Sequence, residues 1–325
     1  MSRSPWARSA LHASLKLLGT VGLLSWLLSG TDLAAIGAAL RSARPEWVLA
    51  AFGLHFVGLL ISAVRWRLLL RVQGAEVSLS FLARSLLVGI FFNNFLPSTV
   101  GGDLMRARDT AGHAGSRAGS LTTVLVERAT GILVLGFFAL AALLAGTLEG
   151  RGAAAAAVGA AALLGGFLAF TALLRPRPIA WARLVLERRL AKPAGAAGTR
   201  LLSGADSLLR TLGAIAAAPG TMRVVFLLAF LLQANVILHH WFVSRSLGLA
   251  LAPGALLLIV PLATLLLLLP VSINGIGARE AVFSYLLGIY GVPLAPAVAF
   301  SWLCYGTVLA QGILGGLVYA LRRRV

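Results

Sequence analysis

From Val124 to Leu148 the chain reads VLVERATGILVLGFFALAALLAGTL, an apolar run whose only charges, Glu127 and Arg128, sit at its start. Its length decides the solvent. About 20 helical residues cross the hydrocarbon of a bilayer, where every backbone amide must find a partner inside the protein. Comparable runs lie on both sides of it, at about Leu11–Ser29, Glu46–Val64, Ala153–Leu174, Val224–Val243 and Pro296–Leu321. Barrel strands cross with roughly ten residues, so runs of this length exclude a barrel. Composition agrees: of 325 residues, 59% are hydrophobic and only 12% are charged, against about a quarter charged in a soluble domain. The expected fold is an all-α integral membrane domain over residues 1–325, with about six full crossings, or eight if the second of the interrupted segments described next crosses fully each way. The run at 11–29 follows Arg3 and Arg8 as a signal peptide's would. It is long for one and has no small-x-small cleavage site close behind, so it reads as a retained first helix.

Two further apolar segments are interrupted. Leu79–Pro97 carries Arg84 and ends in Asn93-Asn94 and then Pro97. Pro253–Pro270 opens into Ser272-Ile273-Asn274-Gly275-Ile276-Gly277. Proline, asparagine and glycine break helices, which predicts two broken or re-entrant helices.

The net charge of +18 is spread over the gaps between apolar runs. That placement fits anionic inner-leaflet lipid and excludes nucleic acid as a partner. Arginines also set the orientation. With both broken segments returning to the side they entered from, the cytoplasmic loops collect Arg65, Arg67, Arg71, Arg84, Arg106, Arg108 and Arg117. They also hold the basic connector at about 175–223 and the Arg322-Arg323-Arg324 tail. The outer side keeps only Arg41, Arg44, Arg151, Arg245 and Arg279. The N- and C-termini are therefore both expected inside. Within the connector, Ile179–Leu190 has the spacing of an amphipathic surface helix, 192–199 reads as a hinge, and Leu201–Ala217 as a second surface helix.

The two interruptions resemble each other. The first reads Phe95-Leu96-Pro97-Ser98-Thr99-Val100-Gly101-Gly102-Asp103-Leu104-Met105-Arg106; the second, Leu269-Pro270-Val271-Ser272-Ile273-Asn274-Gly275-Ile276-Gly277-Ala278-Arg279-Glu280. Each has Leu-Pro, a short turn, near-paired glycines, an acid and an arginine. Entering from opposite sides, they predict an inverted repeat, about 11–148 and 153–325, whose discontinuous helices build a midplane substrate site. Asn94, Gly101, Gly102, Asp103, Arg106, Asn274, Gly275, Gly277, Arg279 and Glu280 are the candidate residues, with Glu127-Arg128 completing the polar lining. Glycine turns expose backbone N–H groups to a phosphate, and arginine binds its oxygens in pairs. Charges at membrane depth cost about 2.5–3.5 kcal/mol each, so they are seldom idle. Gln233, Asn235 and His239 are further polar positions within a span. Cys304 is the only cysteine, so neither a disulfide framework nor a cysteine-based metal site is expected, and His55 and His239-His240 read as isolated.

Asn94-Phe95-Leu96-Pro97 with Gly101 to Arg106, then Val126-Glu127-Arg128, then Pro270 with Gly275 to Glu280, resemble the lysylphosphatidylglycerol synthase transmembrane family, the flippase-like membrane regions. The resemblance runs from the first span to the last. It implies a domain that moves or presents a lipid across the inner membrane. Two-part members add a cytoplasmic aminoacyl-transfer domain; with the sequence ending at Val325, that activity is not expected. The expectation is therefore a multi-pass inner-membrane lipid flippase, with no catalytic residues, cofactor or metal. The alternative is an accessory protein for a lipid-modifying enzyme or glycosyltransferase. Either role allows a homo-oligomer or a membrane enzyme as partner.

Overall fold

The computed structural model describes residues 22, 25, 32–95, 101–145, 151–173, 175–190, 196–268, 272 and 274–322. All regular structure among them is helical. The elements are α1 (Leu33–Arg41), α2 (Pro45–Arg71), α3 (Leu79–Phe95), α4 (Gly101–Thr110), α5 (Arg117–Leu144), α6 (Arg151–Leu173), α7 (Pro176–Leu190), α8 (Ala196–Ala216), α9 (Pro219–Ser246), α10 (Pro253–Leu266), α11 (Ala278–Gly288) and α12 (Leu294–Leu321). The expected first span at 11–29 falls outside the described residues apart from 22 and 25, both helical.

Four helices, α2, α5, α9 and α12, have the length and apolarity to cross a membrane. At 27 or 28 residues each they are about 40 Å long, well beyond the hydrocarbon thickness of about 30 Å. A fifth candidate joins 157–172 to 177–188 through a bend of 64°. Their outward faces are apolar: Leu49 and Leu60 on α2, Leu227 and Leu231 on α9, and Ile313 and Leu317 on α12 are exposed. Lipid tails, not water, suit such faces.

Local chemistry fixes the helix starts. Pro45, Pro219 and Pro253 occupy first turns, where the missing N–H costs nothing. Ser116 caps α5, its Oγ accepting from the Gly119 amide at 2.9 Å. That cap starts α5 at Arg117, seven residues before the expected Val124, because a polar first turn adds nothing to an apolar pattern. At the other end, α2 runs on past Val64 to Arg71. It carries Arg65 into the interior at 1% exposure, a correction to its expected place in a cytoplasmic loop. Arg106, counted with the same loops, is also buried. Both find partners inside, as a buried charge must.

The broken segments are short. α3 has 17 residues and α10 has 14, about 26 and 21 Å, so neither spans alone. α4 folds back antiparallel on α3. The Gly102 amide donates to Asn93 Oδ1 at 2.8 Å, Gly89 lies against Gly102 and Arg106, and Ser85 Oγ donates to Asp109 at 2.6 Å. A Cβ at Gly102 would stand 2.1 Å from the Gly89 carbonyl oxygen, so the hairpin closes only on glycine.

The order long helix, short apolar helix, break, short helix, long helix occurs twice, in α2–α5 and in α9–α12. Packing follows the same order. α2 lies against α9; α3 lies against α12 as α10 does against α5; and α5 and α12 each touch both α2 and α9. The α2–α9 crossing is antiparallel: Arg44 N–H donates to the Ser246 carbonyl, Trp47 packs edge-on to Trp241 and Phe242, Asn235 donates to the Leu54 carbonyl, and Gly58 meets Leu232. α7 and α8 pair with each other, and α8 also lies on α5. They begin three and five residues before the helices expected at Ile179 and Leu201, and Ala196–Thr199 of the expected hinge lie in α8.

Candidate functional site

Two clusters of polar side chains lie inside this frame. In the first, α2, α4 and α5 converge. Arg106 pairs with Glu127, and its other terminal nitrogen lies 3.8 Å from Asp103. Arg128 Nε lies 2.5 Å from the second Asp103 oxygen. Arg65 donates to the Glu127 carbonyl at 2.9 Å and to Thr130 Oγ1 at 2.7 Å. The Trp66 ring covers Arg106, its centroid 4.3 Å from Cζ. Asp103, Arg106 and Glu127 are all under 10% exposed. Three guanidiniums face two carboxylates, so the sequence-predicted residues Asp103, Arg106, Glu127 and Arg128 do assemble. They form a buried network of opposed charges, with Arg65 Nε and Arg106 Nε left without a hydrogen-bond acceptor.

The second cluster lines a cavity of about 270 Å³ among α2, α9, α10, α11 and α12. His55, Asn235, His239, His240, Arg279, Cys304 and Tyr305 supply its polar wall. Arg279 stacks on Tyr305, with Cζ 4.0 Å from the ring centroid, and reaches the Asn274 carbonyl at 3.4 Å. Glu280 does not pair with Arg279; its carboxylate accepts from the Gly277 amide at 2.7 Å and caps α11. Among the described residues Arg279 therefore has no carboxylate in ion-pair reach. Gly277 and Gly275 adopt φ of 80° and 75°, and Asn274 a φ of 53°, left-handed values that explain the residue types in this turn.

The breaks themselves meet. Asn274 Nδ2 donates to the Asn94 carbonyl at 2.7 Å, and Asn94 Nδ2 donates to the Val308 carbonyl at 3.1 Å. Gly312 leaves room for that amide; a Cβ there would be 2.4 Å from Asn94 Nδ2. Arg106 and Arg279 end in separate clusters, so they do not form one clamp in this conformation. Gln233 and Asn235 instead hold neighbouring helices, bonding the Gly131 and Leu54 carbonyls.

His55, His239, His240 and Cys304, expected to be isolated, come together. His55 and His239 both reach Thr307 Oγ1, at 2.9 and 3.0 Å, and their rings lie 4.5 Å apart. One ligand-type atom each from His239, His240 and Cys304 lies within 4.8 Å of the others. Their separation in sequence hides this, since Cys304 is on α12 and the histidines are on α9.

A correspondence between the two halves links them once the helix starts are known. Counted from the first residue of each helix, Arg65 and Trp66 on α2 hold the places of His239 and His240 on α9. Likewise Glu127, Arg128 and Thr130 on α5 hold the places of Cys304, Tyr305 and Thr307 on α12. Asp103 and Arg106 on α4 match Glu280 and Phe283 on α11. Contacts follow the correspondence: Arg65 bonds Thr130 and His239 bonds Thr307, while Trp66 packs on Arg106 and His240 on Phe283.

Comparison with known proteins agrees with the architecture. Over 90 residues the chain is 37% identical to a UPF0104 membrane protein of Methanothermobacter thermautotrophicus, an alignment covering 28% of this chain and 26% of that protein. No solved structure matches. The family model of the lysylphosphatidylglycerol synthase TM region matches residues 13–315. Nearly the whole chain is thus one transmembrane region, and the protein belongs to the lysylphosphatidylglycerol synthase TM region family.

Proposed function

We propose that this protein moves a lipid with a polar, phosphate-bearing headgroup between the leaflets of the inner membrane. Its two halves, about 11–148 and 153–325, are inverted repeats built on the frames α2–α5 and α9–α12. The observation that carries the reading is the junction of the breaks. Asn94 and Asn274 are bonded across it, Val308 joins it to the cavity wall, and Arg279 stands in that cavity without a carboxylate. Broken helices meeting beside a polar cavity are the usual substrate site of repeat-built transporters. A guanidinium without a carboxylate in a low-dielectric cavity attracts an anion, and phosphate offers it two oxygens.

The two clusters then have different tasks. Asp103, Arg106, Glu127 and Arg128 close one side by ion pairing, while Arg279 and Tyr305 receive the headgroup. The glycines at 101, 102, 275 and 277 let the backbone turn beside it. Exposed Arg177 and Arg188 on α7 face anionic inner-leaflet lipid. No covalent chemistry is assigned: Asp103 and Glu127 are held by arginines and Glu280 by a helix start.

The purified chain in liposomes, with labelled anionic phospholipid, tests this. Leaflet exchange is expected from the chain alone, and Arg279→Gln is expected to lower it about tenfold or more, the loss of one charge-assisted bond of roughly 1.5–3 kcal/mol. No exchange by folded protein with any lipid offered would favour the accessory role. Exchange unchanged in Arg279→Gln would remove this cavity from the path.

A further inference from the structure

The imidazole–thiol group on α9 and α12 is built as a metal site. We infer that His239, His240 and Cys304 bind one soft monovalent d¹⁰ cation, copper(I) or silver(I), in the wall of the same cavity. The second coordination sphere is already in place. His240 Nδ1 lies 2.8 Å from the Val236 carbonyl, which can only accept, so Nδ1 carries the proton and Nε2 keeps its lone pair. Thr307 Oγ1 donates to the Cys304 carbonyl at 2.8 Å. It must therefore accept from His239 Nε2 at 3.0 Å, which leaves the lone pair on His239 Nδ1, 3.5 Å from the His240 Nδ1–H that a metal would have to turn aside. Metal-ligating histidines are oriented in this way, the far ring nitrogen donating to a carbonyl or hydroxyl. His55, bonded to the same Thr307 oxygen and packed on His239, fixes that ring from the other side. Cys304 is a free thiol, buried at 5% exposure, and lines the same cavity as both histidines.

Charge selects the ion. No carboxylate lines this cavity among the described residues, and Arg279 does. Binding converts the Cys304 thiol to a thiolate and releases one proton to solution. Copper(I) with one thiolate and two neutral imidazoles is a neutral centre. Zinc(II) in the same donor set would leave a net positive charge beside a guanidinium in a low-dielectric cavity, where unbalanced charge is costly. Two nitrogens and one sulfur also suit a three-coordinate soft ion, and hard cations find no oxygen set here.

The full chain, purified in detergent and reduced, is titrated anaerobically with copper(I) against a chromogenic chelator. One ion per chain is expected, lost or weakened at least tenfold in Cys304→Ser and His240→Ala. In Thr307→Ala, which removes only the orienting hydroxyl, binding is expected to weaken about 10–100-fold. X-ray absorption on the unmutated copper(I)-loaded chain, which depends on no variant folding, should find one sulfur and two nitrogen neighbours. No stoichiometric uptake, a sphere without sulfur, or retention in Cys304→Ser overturns the proposal. So does zinc(II) displacing copper(I) at equal concentration.

Discussion

Replacing Glu127 with glutamine keeps the side chain's shape and removes one of the two carboxylates among three guanidiniums. Arg106 then loses its closer ion-pair partner, keeping only Asp103 at 3.8 Å, while remaining 8% exposed and pressed on Trp66. Asp103 cannot replace Glu127, because Arg128 already holds it at 2.5 Å while Arg106 stands 3.8 Å away. Breaking a buried pair from one side costs about 3–5 kcal/mol, most of it from the charge left uncompensated. The Glu127 carbonyl that accepts from Arg65 is backbone and survives the change, so the loss is expected near 3 kcal/mol, the lower end of that range. Reversible unfolding in mixed detergent and SDS micelles, followed by helical circular dichroism, measures it. A second substitution, Arg106→Gln, removes the stranded charge, so the double variant should be more stable than Glu127→Gln alone. A loss below about 1 kcal/mol, or strictly additive effects in the double variant, would refute a network held together by charge.

Gly102→Ala should destabilise the α3–α4 hairpin by about 1–3 kcal/mol, the cost of overpacking, because its Cβ would meet the Gly89 carbonyl oxygen at 2.1 Å. Gly53→Ala, with open space around its Cβ, is the control in the same unfolding assay and should not lose stability. For orientation, a single cysteine placed by Glu187→Cys in a Cys304→Ser background should react with an impermeant maleimide only in inverted vesicles. Labelling in right-side-out cells would overturn the cytoplasmic assignment of the 175–223 connector.

The membrane class and the positions of the helices were legible in the sequence because long apolar runs leave one solvent and one secondary structure available. The interruptions were legible too, since Asn274, Gly275 and Gly277 are the residue types a left-handed turn selects. Helix ends were less so: Ser116 starts α5 through one side-chain hydrogen bond, and Arg65 extends α2 through partners on α5. Neither interaction leaves a periodic trace. In the site, Asp103, Arg106, Glu127 and Arg128 were found as charges at membrane depth. His239 was noted as a polar position within a span, but His55, His240, Cys304 and Tyr305 were passed over because each is unremarkable alone and only the antiparallel α2–α9 crossing and the return of α12 bring them together. The motifs that carry Arg106 and Arg279 look alike in sequence; in the fold, Glu127 holds one and Tyr305 the other.

Most corresponding places carry charge in α2–α5 and neutral groups in α9–α12, the Asp103–Glu280 match apart, and this has a mechanical consequence. Arg65 to Thr130 and His239 to Thr307 are the same strut in the same scaffold. Beside the first stands a buried ion pair whose rupture costs several kcal/mol; beside the second stand bonds between neutral groups, each worth roughly 1 kcal/mol. The second strut is thus the easier of the two to break. Any motion that carries Asn94 past Asn274 will break that one first. Amides of α11 and of the turn at 274–277 should therefore exchange with solvent before those of α4, and the molecule should open from one end rather than from both.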